Sequence, residues 1–244
     1  MNILHRLLTA GLIAVCLTAS SGCSLISHFQ KPTPQTARQL YQAGISAMEN
    51  EEYTQAVEHL TNLKERFPFS ELTTKAELKL ADAYYLDGQL KAAEDAYKEF
   101  EMLHPGDESI PFVLFRIGVC NFKQFRSIDL PMQNLGEALQ YFKRVQQSYP
   151  ESEYAGQARE YQTETRRLIA KHELYVADFY WRQGEYQAAW KRYSYVLKNF
   201  SDLESIRDYA QSRERLAYYK YQQQQAEKER AAQNGDWKQW FEWL

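Results

Sequence analysis

The sequence predicts an all-α protein, a right-handed helical solenoid of about five stacked helix pairs. Three observations lead there. Residues 74–105 hold two helix-period apolar runs, interrupted at Asp87-Gly88 and closed by Pro105. The small and large landmarks of that stretch return in phase elsewhere in the chain, and one hairpin of this kind cannot bury its apolar face without neighbours of the same kind. Tyrosine is abundant (18) while glycine (10) and proline (7) are sparse, a balance suited to helices packed through aromatic rings.

From the N-terminus, residues 1–22 read as an export signal. Arg6 supplies the positive start, and residues 7–18 form an apolar stretch too short to span a bilayer as a stable helix. The small residues Ala19-Ser20-Ser21-Gly22 then lead into Cys23, which resembles the bacterial lipobox and implies a cleaved, acylated Cys23. Ser20 stands where lipoboxes usually carry leucine, and an ordinary secretory signal that leaves Cys23 a free thiol is the alternative. With Cys16 removed and Cys23 acylated, Cys120 has no disulfide partner and reads as a buried, inert thiol. Ser24 after the cysteine favours the outer membrane over the inner. Residues 23–34, with Pro32 and Pro34, read as a lipidated tether.

Residues 35–233 form the solenoid. The order Leu80-Ala81, Tyr84, Ala93, Tyr97, Phe100 and Pro105 resembles the tetratricopeptide repeat (TPR) pattern, in which small residues let two antiparallel helices approach and large ones fill the space between them. An earlier repeat ending at Pro68 places Gly44, Tyr53, Ala56, Leu60 and Leu63 at the equivalent stations. A third ends at Pro150 and carries Gly118, Ala138, Phe142 and Val145. The offset between Gly118 and Ala138 demands an insertion within residues 126–136, where Pro131 and Asn134 suit a loop. A fourth has Ala177, Tyr180, Tyr186, Ala189, Tyr193 and Val196 in phase, with Ser201 in the proline position. The span from Pro150 to Ser201 exceeds one period by about half a repeat. No breaker lies in it beyond Gly156, so one long helix is expected over 153–182. A last helix begins near Leu203 and runs to about Ala232, polar all round in its second half. Residues 234–244 form a tryptophan-rich tail. Trp237, Trp240, Phe241 and Leu244 share one face, either folding back as a lid or anchoring a partner or a membrane interface.

The chemistry the sequence offers is binding rather than catalysis. A net charge of −3 and the lack of a basic stripe argue against nucleic acid. No two of the five histidines lie close in sequence, and His172-Glu173 fails the zinc-protease pattern because Val176 stands where the second histidine would be. No nucleophile elbow, phosphate loop or Cys-x-x-Cys is present, so no catalytic set, metal or cofactor is expected. In a TPR stack the first helix of each repeat lines the concave groove. The inward stations read Met48, Tyr85, Phe122, Trp181 and Tyr41, Leu78, Phe115, Leu174, an apolar, aromatic column suited to an extended peptide. The competing reading packs these residues between repeats. Arg192, beside Trp190 on the second helix of the fourth repeat, is a candidate interface anchor on the convex side, or else a surface ion pair.

Taken together, the lipobox, the repeats and their two insertions resemble the family of the D component of the bacterial barrel-assembly machinery (BamD), over residues 35–232. The resemblance is carried by Arg66-Phe67-Pro68-Phe69-Ser70, Ala83-Tyr84-Tyr85, Leu103-His104-Pro105 with Ile110-Pro111-Phe112, Tyr149-Pro150-Glu151-Ser152-Glu153-Tyr154, and Leu168-Ile169-Ala170-Lys171-His172-Glu173 leading to Arg192. It implies a non-enzymatic lipoprotein at the periplasmic face of the outer membrane, held there by its N-terminal lipid. Its partners would be the barrel-forming insertase, the accessory lipoproteins of that machine, and unfolded outer-membrane proteins. Arg192 and Trp190 would lie at the insertase contact, and Tyr41, Tyr85, Phe115 and Phe122 would by position be the substrate side. Two rival readings are a TPR lipoprotein serving cell-wall or division enzymes, and a periplasmic enzyme. The tail takes no function from the resemblance.

Overall fold

A computed structural model of the chain describes residues 36–234. The signal, Cys23, the tether and the tryptophan tail lie outside the described residues. Among the described residues there are nine α-helices: α1 (Ala37–Glu49), α2 (Tyr53–Arg66), α3 (Thr73–Leu86), α4 (Leu90–Leu103), α5 (Ile110–Gln124), α6 (Gln133–Ser148), α7 (Glu153–Arg182), α8 (Tyr186–Asn199) and α9 (Glu204–Asn234). They make four pairs, α1–α2 to α7–α8, and a ninth helix that packs along α8. Each helix lies against the next in sequence, as a stack of TPR-like pairs requires.

Local chemistry sets the ends. Thr36 and Gln39 form a reciprocal capping box that starts α1, each side chain taking the other's backbone N–H at 3.2 Å. The turns inside pairs one, two and four are built alike. The residue seven after the small groove station turns left-handed, and its successor closes back on the first helix: Glu52 N–H to Ala47 O at 2.8 Å, Gln89 to Tyr84 at 3.0 Å, Glu185 to Tyr180 at 3.0 Å. Glycine fills that left-handed place twice, as Gly88 and Gly184 (φ 77° each), while Glu51 adopts it at φ 60° without being glycine. In the third pair the equivalent residue is Phe125, which is extended (φ −65°, ψ 127°), and from it the chain leaves into the expected insertion. The second helices end alike too. Phe67, His104 and Tyr149 precede proline and cap their helices with ψ near 54°. Phe200 precedes Ser201 and still caps α8 in similar fashion, so the missing proline leaves the turn intact.

Packing between partners follows a small-against-large rule. A Cβ on Gly44 would stand 2.7 Å from Leu60, and one on Gly118 would stand 2.6 Å from the Phe142 ring. Ala81 and Ala177 hold the same station in the other two pairs, with Tyr97 and Tyr193 in place of Leu60 and Phe142. All of these large partners are fully buried. The apolar core is thus a row of clusters rather than one body. One lies among α1–α3, a large one runs from α3 to α7, and two small ones lie among α7, α8 and α9. Among the described residues no helix is long and apolar enough to cross a membrane.

Candidate protein-docking surfaces

The 30-residue α7 reshapes the expected groove. Its first half lies beside α5 and α6 and brings Tyr154 and Tyr161 onto them. Phe115 stacks on Tyr154 at 5.7 Å and meets Tyr161 edge-on at 5.7 Å and Phe142 at 6.1 Å. With 5% of its surface exposed, Phe115 is a packing residue, and its assignment to an open substrate surface is corrected accordingly. Tyr41 is half-buried against the N-terminal core with Met48. Phe122 is half-buried, with Tyr161 edge-on at 5.3 Å. Tyr85 differs from these. It is half-buried between α3 and α5, and two cations from α5 converge on its ring, Arg116 at 4.5 Å and Lys123 at 4.8 Å from the centroid.

Sequence reasoning passed over those two cations. They were legible as basic residues seven apart on a groove-lining helix, and so on one face of it. The Arg116 guanidinium also covers Phe112 at 5.0 Å, and its Nε is buried without a hydrogen-bond partner.

At the C-terminal end, Trp190 faces α9. Its indole Nε1 donates to Glu214 at 2.5 Å, and its ring stacks on Tyr221 at 5.9 Å and tilts against Tyr218 at 5.1 Å. Trp190 is thus half-buried in a contact within the chain. Arg192 is exposed on α8 and donates to Glu173 of α7 at 2.7 Å, an ion pair on the outer surface of the fourth pair. Between that pair and α9, Asp178 accepts from the hydroxyls of Tyr193 and of Tyr209, the latter at 2.9 Å. Arg213 lies 3.8 Å from Asp178 and covers the Trp181 ring at 4.6 Å, so Trp181 is roofed rather than open. The signal for this hub was present in the repetition of Ala81-Asp82 with Tyr97 as Ala177-Asp178 with Tyr193.

Three further titratable groups sit in internal contacts. The Cys120 thiol is fully buried, and that burial pushes its pKa up to about 12, well away from a reactive thiolate. His104 pairs with Glu77 at 2.6 Å, and His172 Nδ1 donates to the Ile128 carbonyl at 2.6 Å, pinning the insertion to α7. A cleft of about 400 Å³ opens between α2, α3 and α4, walled by Thr61, Lys64, Leu80, Tyr84, Ala96 and Glu99. Its lysine is already paired with Glu99 at 2.6 Å, and no nucleophile stands beside a base there. Among the described residues no group of His, Cys, Asp and Glu could hold a metal ion.

A family model described as YfiO: Outer membrane lipoprotein matches residues 33–234, which takes in every described helix. The outer membrane protein assembly factor BamD of Vibrio cholerae serotype O1 is 28% identical over 81% of this chain and 85% of its own length. The protein of the same name from Caulobacter vibrioides is 25% identical over 76% of this chain and 62% of its own. Among solved structures, the TPR2AB domain of yeast Sti1 in its pHSP90 complex is 16% identical over 72% of this chain and 70% of that one. Its TM-score of 0.45 is too low to carry function across.

Proposed function

The chain belongs to the YfiO outer membrane lipoprotein family, and on that premise we propose that it is a non-enzymatic scaffold in outer-membrane protein assembly. The observation that carries this reading is the unbroken family match over residues 33–234, supported by the assembly-factor names of the relatives. In finer terms, Cys23 carries the lipid that holds the protein to the periplasmic face of the outer membrane. Several acyl chains hold a protein stably where one binds reversibly, and confinement to a surface raises its effective concentration near other components. The C-terminal pairs bind the periplasmic domains of the barrel-forming insertase, with Arg192 at the contact, and its accessory lipoproteins join the same assembly. The N-terminal and central pairs receive unfolded outer-membrane proteins, whose last strands alternate aromatic and apolar side chains. Tyr85, Phe122 and Tyr41 are the half-buried aromatics left to meet them.

Crosslinking in intact envelopes, followed by pull-down from detergent, tests the reading. Recovery of a barrel-forming outer-membrane protein supports it, while recovery of cell-wall enzymes alone replaces it with a scaffold for those enzymes. For Arg192, charge reversal to glutamate should reduce insertase recovery by about tenfold, since like charges then meet at the contact. Glu173→Arg together with Arg192→Glu restores the ion pair inside the chain. If the double variant also restores recovery, Arg192 acts only on its own fold.

A further inference from the structure

We propose that the outer cleft between α2 and α4 receives an aromatic side chain flanked by basic residues, carried by an extended segment of a partner protein. The cleft is walled by second helices, away from the groove of the first ones, and the inference does not rest on the substrate reading above.

Two equivalent seams carry it. Between α4 and α6 the outer seam is filled by Tyr141, half-buried on the central core. Lys98 and Arg144 cover its ring at 5.7 Å and 5.2 Å from the centroid. Lys98 also reaches Glu137 at 3.2 Å, and Arg144 pairs with Glu101 at 2.5 Å. One repeat earlier the same stations read differently. Ala96 precedes Tyr97 as Tyr141 precedes Phe142, and Ala92 precedes Ala93 as Glu137 precedes Ala138. Thr61 stands in the place of Lys98, and Glu99 in that of Arg144. The Lys64–Glu99 pair at 2.6 Å repeats the Glu101–Arg144 pair with the charges exchanged. The frame of the seam is kept while its ring is replaced by alanine, and the cleft of about 400 Å³ is the result.

The lining selects the occupant. Leu80, Tyr84, Ala92 and Ala96 make an apolar floor, so an entering ring leaves water for hydrocarbon. The Thr61 Oγ1 in the wall is buried with no hydrogen-bond partner, which a tyrosine hydroxyl would supply. The rim is acidic. Glu65 is exposed and forms no ion pair among the described residues, while Asp95 and Glu99 are held by Lys91 and Lys64. At the filled seam the chain itself supplies the two cations that cover the ring. At the open one Thr61 and Glu99 take their places, so the cations must arrive with the ring.

Fluorescence anisotropy with the detergent-solubilised full chain tests this. The probe is a labelled seven-residue peptide with tyrosine between two lysines. It should bind about tenfold tighter than the same peptide with alanine for the tyrosine, and about tenfold tighter than one with glutamates for the lysines. Ala96→Tyr supplies from within the chain the ring that Tyr141 supplies next door, and should weaken the probe at least tenfold with an unchanged circular dichroism spectrum. Glu65 is exposed and unpaired, so Glu65→Lys folds whatever happens at Ala96, and it should weaken the probe about threefold. Equal binding of the tyrosine and alanine peptides, or binding that neither variant lowers, overturns the aromatic site. Equal binding of the lysine and glutamate peptides overturns the basic flank. A dimer of the wild type that Ala96→Tyr dissolves would make the occupant a second copy of this chain and overturn its assignment to a different protein.

Discussion

In the α5–α6 pair the helices meet through hydrocarbon: Gly118 gives way to the Phe142 ring, and Phe115, Tyr154 and Tyr161 close over it. In the α7–α8 pair the same stations carry Ala177 and Tyr193, and hydrogen bonds tie this pair together and to α9. Asp178 receives Tyr193 and Tyr209, while Glu214 receives Trp190 and Ser194, the latter at 3.1 Å. The apolar core differs in step, since one large cluster spans α3–α7 and two small ones share α7–α9. Dispersion and burial fix a seam in one arrangement, because any void forfeits contacts outright. A polar seam holds by directional bonds that water can replace, so it opens at lower cost. The central pair is accordingly the fixed body of the stack, and α9, held on α8 by directional bonds, is the part that opens first.

The largest test of that contrast is Phe142→Ala. Emptying a fully buried ring site should cost about 3–5 kcal/mol of unfolding free energy, read from urea denaturation. A loss of under about 1 kcal/mol would mean that the central cluster is not close-packed. Next is Trp190→Ala, which removes both the stack on Tyr221 and the bond to Glu214. It should cost about 2 kcal/mol, and amide exchange should quicken in α9 while α1–α6 keep their protection. Uniform quickening along the chain would erase the distinction between the two regions.

The twin tyrosines sharpen the comparison further. Tyr97→Phe and Tyr193→Phe each delete one hydroxyl from a carboxylate that keeps other partners, Lys79 at Asp82 and Tyr209 at Asp178. Each should cost about 1 kcal/mol, with Tyr193→Phe the milder because Asp178 keeps more donors. Last is a pH effect confined to the central body. Burial pushes the Glu94 carboxyl up, but donation from Lys98 at 2.5 Å and Gln124 at 2.9 Å outweighs it, so the folded value lies below the ordinary one. A depressed folded pKa means that Glu94 contributes stability above its unfolded value and loses it as pH falls through the folded one. The wild type should therefore lose thermal stability in acid below about pH 4.5 more steeply than Glu94→Gln. Parallel curves would show that Glu94 is not held in its charged form.

What could be read in the sequence was whatever depends on spacing along one chain. The phase of Gly44, Ala81, Gly118 and Ala177 gave the pairs, the displaced Ala138 gave the insertion, and the empty stretch over 153–182 gave the long helix at the bounds observed. Ser201 looked like a break in the pattern, but Phe200 alone makes the cap. What could not be read depends on neighbours brought from outside the repeat. Phe115 sits at a groove station, and only the extra turns of α7 cover it. Trp190 sits on an outer face, and only α9 claims it. Arg116 is one basic residue in an apolar run until α3 lays Tyr85 beneath it.

The length of α7 carries a mechanical consequence. At about 1.5 Å per residue its 30 residues form a rod of about 45 Å. One end carries Tyr154 and Tyr161, packed on α5 and α6, and the other carries Glu173 and Asp178, which hold Arg192 and two tyrosine hydroxyls. A helix resists bending far more than a loop does. A tilt imposed at its C-terminal end would swing Tyr154 and Tyr161 against α5, so load on one region of the stack would reach the other as along a beam on a fulcrum.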